Sequence, residues 1–131
     1  MSKQNVSVVV VEDDVALNDA YTMILESAGH TVHRAFNGEE ALQVIKTLPT
    51  PPAVILLDLR MPVLDGLGFL KKYEPELHPE TVVVVFSNYD AKGDIDEASS
   101  LGAHRYVLKA RAAPKELLHL VDSIVYEQQG A

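Results

Sequence analysis

An α/β fold of five strand-helix units around a parallel five-stranded sheet is what the patterning of this chain predicts, on three observations. Apolar runs rich in valine, such as Val6 to Val11 and Ala53 to Leu57, lack the alternation of a half-exposed strand, so both faces of each strand need cover. Between those runs lie segments whose apolar residues recur at helical spacing. Strand and helix signals then alternate along the whole chain, which calls for right-handed crossovers and a three-layer (βα)5 sandwich.

Each element has its own signal. Val6 to Val11 reads as the first strand, and Leu17, Ala20, Tyr21, Ile24, Leu25 and Ala28 mark a helix that Gly29 ends. Thr31 to Phe36 is the second strand, Asn37-Gly38 turns into a helix through Ala41, Leu42 and Ile45, and Leu48 to Pro52 is a connecting loop. Ala53 to Leu57 is the third strand, followed by a helix through Leu67, Leu70 and Tyr73; Thr81 to Phe86 is the fourth, followed by a helix near Ile95, Ala98 and Leu101. Arg105 to Leu108 is the fifth strand, and Pro114 opens a last helix with an apolar stripe of Leu117, Leu118, Val121, Ile124 and Val125. The reading is a single domain over 1–131 with a core from about residue 6 to 126.

Bulk properties exclude several classes. Lys+Arg 11 against Asp+Glu 19 gives a formal net charge of -8, which disfavours direct binding to nucleic acid or to an anionic membrane surface. There is no cysteine, hence no disulfide scaffold and no thiol chemistry. The amino-terminal segment has the wrong length and flanks for a signal peptide or a membrane span, so the expected location is the cytoplasm.

The chemistry concentrates at strand ends. Glu12-Asp13-Asp14 follows the first strand, Asp58 the third, Ser87 the fourth and Lys109 the fifth. Asp58 alone could be a nucleophile or a mere cap, and Asp14 suits the N-cap of the first helix better than a ligand role. In a sheet of order 2-1-3-4-5, however, the first and third strands are neighbours at the switch point, and Glu12, Asp13 and Asp58 converge there. At about 4 Å each like-charge pair costs about 1 to 4 kcal/mol, so the cluster calls for a cation. Oxygen-only ligands in this number suit Mg²⁺, which commonly bridges carboxylates to a phosphate. A lysine ammonium and a hydroxyl could take up the remaining phosphoryl charge, leaving Asp58 as nucleophile toward phosphorus.

These residues carry a family resemblance. Val10-Val11-Glu12-Asp13, Ala35-Phe36-Asn37-Gly38-Glu39-Glu40-Ala41-Leu42, Asp58-Leu59-Arg60-Met61-Pro62 to Asp65-Gly66, Ser87, Gly102-Ala103, Tyr106 and Lys109 together make the chain resemble the receiver domain of two-component response regulators, most nearly the stand-alone chemotaxis type. The resemblance implies a flavodoxin-like fold and a phosphoryl group taken by Asp58 from a phosphohistidine on a sensor histidine kinase or histidine phosphotransfer protein. It implies direct Mg²⁺ ligation by Asp13, Asp58 and the Arg60 backbone carbonyl, with Glu12 acting through water. By the same resemblance Ser87 donates a hydrogen bond to the phosphoryl oxygens, Lys109 pairs with them, and Tyr106 is the switch aromatic. Its inward turn would change the surface of the fourth helix, fifth strand and fifth helix for a downstream protein target, in a monomer or weak dimer. Such a domain is a phosphoacceptor module, catalysing at most its own phosphorylation and dephosphorylation.

The pattern also has departures. Ala110 follows Lys109 where the family usually has proline, and Asn88, Tyr89 and Arg60 are bulky neighbours of the site that would alter phosphate lifetime. Gly93 costs its helix about 1 kcal/mol relative to alanine and predicts a late start or a loose hold. His30, His33, His78, His104 and His119 form no motif and read as surface or packing residues. Two other functions compete. An aspartyl-phosphate hydrolase of the haloacid dehalogenase type would need a second acid two residues after Asp58, where Arg60 stands. A receiver-like interaction module that works independently of phosphorylation would not require Glu12, Asp13, Asp58, Ser87 and Lys109 together.

Overall fold

The computed structural model describes residues 5–87, 92–108 and 114–129. The strands are β1 (Ser7–Val11), β2 (Thr31–Ala35), β3 (Val54–Leu57), β4 (Val82–Ser87) and β5 (Arg105–Leu108), alternating with α1 (Val15–Ser27), α2 (Gly38–Thr47), α3 (Gly66–Tyr73), α4 (Lys92–Ser100) and α5 (Pro114–Gln129). A short 3-10 turn, Pro75–Leu77, precedes β4. All pairings are parallel and the sheet order is β2-β1-β3-β4-β5, the order in which the acidic strand ends meet.

Strand side chains alternate between two cores. Val9, Val11, Ile55, Leu57, Val83 and Val85 face α2, α3 and α4 and meet Ala41, Phe69, Leu70 and Ala98. Val8, Val10, Val54, Leu56, Val84 and Phe86 point the other way, against Leu25 of α1 and Leu117, Val121 and Ile124 of α5. The uninterrupted apolar runs are thereby explained, since every position is covered by one layer or the other. Each fully buried aliphatic side chain contributes about 1.5 to 3 kcal/mol.

Element ends follow local hydrogen bonding. Asp14 is the N-cap of α1, its Oδ1 accepting from the Leu17 N–H at 3.1 Å, as the sequence suggested. Strand β2 stops at Ala35, one residue short of expectation, because the Glu40 carboxylate accepts from the Phe36 N–H at 2.9 Å. Thr81 lies outside β4 for a similar reason: its N–H donates to His78 at 3.0 Å and its hydroxyl to Pro52 at 2.6 Å. The late start expected for the fourth helix is not seen. Helix α4 includes Gly93 in its first turn, where N–H groups have no intrahelical partner and glycine costs little.

The loop between β3 and α3 carries a strained residue. Val63 has φ +67° and is 82 % exposed. A β-branched side chain in the left-handed region is costly, and at this exposure no burial offsets it. Val63→Gly is therefore expected to raise stability by about 1 kcal/mol in urea unfolding; an unchanged or lower midpoint would contradict the strain.

Candidate functional site

The site is built by register. Val11 of β1 is level with Leu57 of β3, so the next residues, Glu12 and Asp58, leave the sheet side by side. The Asp58 N–H donates to Val11 at 3.1 Å and the Glu12 N–H to Ala35 at 3.0 Å, which extends the ladder by one bond at each strand end and fixes both Cα positions. Carboxylate oxygens of Glu12, Asp13 and Asp58 lie within 4.8 Å of one another. Glu12 is 3 % exposed and Asp58 8 %, while Asp13 is open to solvent.

Backbone donors steady the first of these acids. The Asp14 N–H donates to Glu12 Oε2 at 3.0 Å, and Asn18, fully buried on α1, donates through Nδ2 to the carbonyls of Glu12 at 3.0 Å and Ala35 at 3.2 Å. The Arg60 N–H approaches Asp58 Oδ1 at 3.4 Å, a long contact for a hydrogen bond. Gly66 packs directly beneath. A Cβ there would stand 2.4 Å from the Asp58 carbonyl oxygen and 2.7 Å from Leu59 Cα.

Tyr21 completes the floor of the site, with Val10, Leu56 and Phe86. Its ring meets Phe86 edge-on at 5.1 Å. Burial pushes the Tyr21 hydroxyl up to about 12, and the charges of Glu12, Asp58 and Asp14 push in the same direction. Tyr73, in the core on the opposite face, is also raised by burial. Between pH 10 and about 12 the unfolded chain loses the Tyr21 proton while the folded chain keeps it, so stability falls as pH rises through that window, and Tyr73 acts in the same direction. Urea unfolding at pH 9 and pH 11 without divalent cations should show this loss, and Tyr21→Phe should shrink it; an equal loss in the variant would refute the assignment.

Of the other residues singled out from sequence, Ser87 is the last residue of β4, level with Leu108. Lys109 lies outside the described residues, as do Asn88, Tyr89 and Ala110. Tyr106 is half-buried on β5, beside a crevice of about 130 Å³ bounded by Val85, Ile95, Ala98 and Ala103. The Arg60 guanidinium pairs with Asp94 of α4 at 2.9 Å. Sequence reasoning placed Tyr21 only on an apolar helix face and did not single out Asn18 or Asp94.

Comparison with known proteins bears on this arrangement directly. The family model for the response regulator receiver domain matches residues 8–122. The chain belongs to that family. A protein-glutamate methylesterase/protein-glutamine glutaminase of Archaeoglobus fulgidus is 38 % identical over 95 % of this chain and 35 % of its own length. A hydrogenase transcriptional regulatory protein of Cupriavidus necator is 35 % identical over 99 % of the chain and 26 % of its own length. The receiver thus spans about a quarter to a third of these relatives. Among solved structures, a CheY-like receiver domain of Methanospirillum hungatei superposes with TM-score 0.86 at 25 % identity, covering 97 % of this chain and 98 % of that one. A receiver domain of a Francisella response regulator gives TM-score 0.79 at 29 % identity, with coverages of 94 % and 98 %.

The flavodoxin-like fold and the receiver function in two-component signalling are thereby established for this chain. Receiver domains generally bind Mg²⁺ at an acidic pocket, and the oxygen-only donor set of Glu12, Asp13 and Asp58 fits a hard divalent cation. No helix among the described residues is long and apolar enough to cross a membrane.

Proposed function

We propose that Asp58 is the phosphoacceptor of this receiver and that Glu12, Asp13, Asp58 and the Arg60 backbone carbonyl hold Mg²⁺, Glu12 through water. The observation that carries this is the convergence of three carboxylates within 4.8 Å, two of them almost fully buried, at the carboxyl ends of adjacent parallel strands. Like charges so placed repel at a cost of about 1 to 4 kcal/mol per pair, which a bound cation would offset. When bound, Mg²⁺ would neutralise the carboxylates and an incoming phosphoryl group together.

In the transfer, an oxygen of the Asp58 carboxylate attacks phosphorus and a P–O bond forms as the P–N bond to the donor histidine breaks. The electrons of that bond stay on the imidazole, which leaves neutral because its other ring nitrogen carries a proton. The product is an acyl phosphate on Asp58. The Asp58 side chain needs little reorganisation, since the ladder bond to Val11 already fixes its backbone. Ser87 would donate to a phosphoryl oxygen and Lys109 would pair with another. Hydrolysis reverses the state: water attacks phosphorus, the acyl P–O bond breaks, and the Asp58 carboxylate and inorganic phosphate are released with a proton.

Tyr106 would read this change by turning into the crevice beside it, altering the surface of α4, β5 and α5 toward a downstream protein. The phosphoryl donor would be a sensor histidine kinase or a histidine phosphotransfer protein in the cytoplasm. Incubation with acetyl phosphate tests the site: Asp58 should be modified, as read by intact-mass spectrometry, only with Mg²⁺ present, and Asp58→Asn should show none. Modification at another residue, or binding to partners that ignores phosphorylation altogether, would favour the phosphorylation-independent module.

A further inference from the structure

Arg60 stands two residues beyond Asp58 with its backbone N–H 3.4 Å from the Asp58 carboxylate, and its guanidinium pairs with Asp94 at 2.9 Å. Asp94 lies in the first turn of α4, next to Gly93, where an added Cβ would meet nothing within 4 Å. The same helix presents Ile95 and Ala98 to the crevice beside Tyr106. A second ion pair, Lys71 to Glu97 at 3.6 Å, joins α3 to the middle of α4. The approach of α4 to the loop after β3 is thus held in part by an ion pair between side chains 60 % and 27 % exposed, which is weak and easily exchanged.

We propose that Arg60 is a shared cation: it holds Asp94 in the resting state and passes to the phosphoryl group once Asp58 is modified, releasing the first turn of α4. The inference rests on Asp58 being the phosphoacceptor. The acyl phosphate carries about one more negative charge than the carboxylate it replaces, and it presents three terminal oxygens to a guanidinium fork. Arg60 is tethered beside that group, whereas Asp94 offers a single carboxylate across 34 residues of chain. The exchange links phosphate chemistry to α4 by a route separate from Ser87 and Tyr106. It gives the arginine two residues after the phosphoacceptor a positioning role that its sequence position alone does not show.

Hydrogen exchange of the α4 amides, measured by NMR on the full chain with Mg²⁺, tests the idea. Arg60→Ala keeps the backbone carbonyl, and Asp94→Asn keeps the side-chain shape. Without beryllofluoride each should speed α4 exchange about two- to fivefold, the range an exposed ion pair supports, and the double variant should add nothing further. With beryllofluoride bound, as read from its own ¹⁹F resonance, wild-type exchange should rise to the level of the variants and both substitutions should become silent. Glu97→Gln should act equally in both states. Coupling between Arg60 and Asp94 that persists with beryllofluoride bound, or resting effects that simply add, would overturn the shared cation alone. No bound beryllofluoride would overturn the reading of Asp58, and this proposal with it.

Discussion

Asp58→Asn is expected to melt about 4 to 8 °C above the wild-type chain when no divalent cation is present, although it should abolish the proposed phosphoryl acceptance. Asp58 is 8 % exposed and shares a 4.8 Å cluster with Glu12 and Asp13. Each like-charge pair costs about 1 to 4 kcal/mol at such range, and the solvent at Asp13 screens its share, so removing one charge returns about 1 to 2 kcal/mol. The amide retains an oxygen for the long contact from the Arg60 N–H. Glu12→Gln should gain less, because Glu12 Oε2 accepts from the Asp14 N–H at 3.0 Å and loses strength as an acceptor when neutral. Mg²⁺ should raise the wild-type melting temperature and leave that of Asp58→Asn nearly unchanged, by the linkage between ligand binding and stability. Thermal scans with and without 10 mM Mg²⁺, about the concentration needed for a weak carboxylate site, decide the matter. A lower melting point for Asp58→Asn in chelator, with an undiminished response to Mg²⁺, would show that the cluster is not a cation site.

The same electrostatics explain why so much of this site was legible in the sequence. A parallel sheet buried on both faces must use apolar runs, and the first charge after each run then marks a strand end. Glu12 and Asp58 were found in this way, and the register of Val11 with Leu57 brings them together. Caps were legible where a short polar side chain precedes a helical pattern, as at Asp14 and Asn37. Asp65, read only as part of a loop, caps α3 by accepting from the Gly68 N–H at 2.8 Å. Strand ends shifted by a residue where a side chain intercepted a backbone group, as Glu40 does at Phe36. Periodicity carries no information about that competition. Contacts between elements were the harder part. Helical spacing put Tyr21 on an inward face without showing that its hydroxyl would lie near Glu12 and Asp58. Nothing local joins Arg60 to Asp94, since the pair depends on how α4 lies against the loop after β3. The left-handed backbone at Val63 was equally hidden, because valine is among the least favoured residues for it.

Gly66→Ala is expected to be strongly damaging to this receiver. The requirement at Gly66 is one of space, since a Cβ would fall 2.4 Å from the Asp58 carbonyl oxygen, 2.7 Å from Leu59 Cα and 2.9 Å from Leu59 Cδ2. Two of these atoms are backbone, so no rotamer change relieves the clash. The Gly66 N–H also donates to the Leu59 carbonyl at 3.0 Å, and Leu59 is 3 % exposed, which pins both sides of the contact. Relief therefore requires the start of α3 to withdraw or the Asp58-Leu59 peptide to move, at a cost of about 2 to 3 kcal/mol and a melting temperature about 10 °C lower. Movement of that peptide displaces Asp58, the proposed phosphoacceptor, and small misplacements of a reacting group slow chemistry steeply, so modification of Asp58 by acetyl phosphate should fall by about tenfold or more. Gly93→Ala is the natural counterpart, because its Cβ enters open space in the first turn of α4 and should change stability by no more than about half a kcal/mol. Urea unfolding and labelling rates measured on both variants separate crowding from glycine's general conformational freedom. Equal effects at the two positions, or wild-type labelling by Gly66→Ala, would mean that α3 does not press on the strand end that carries Asp58.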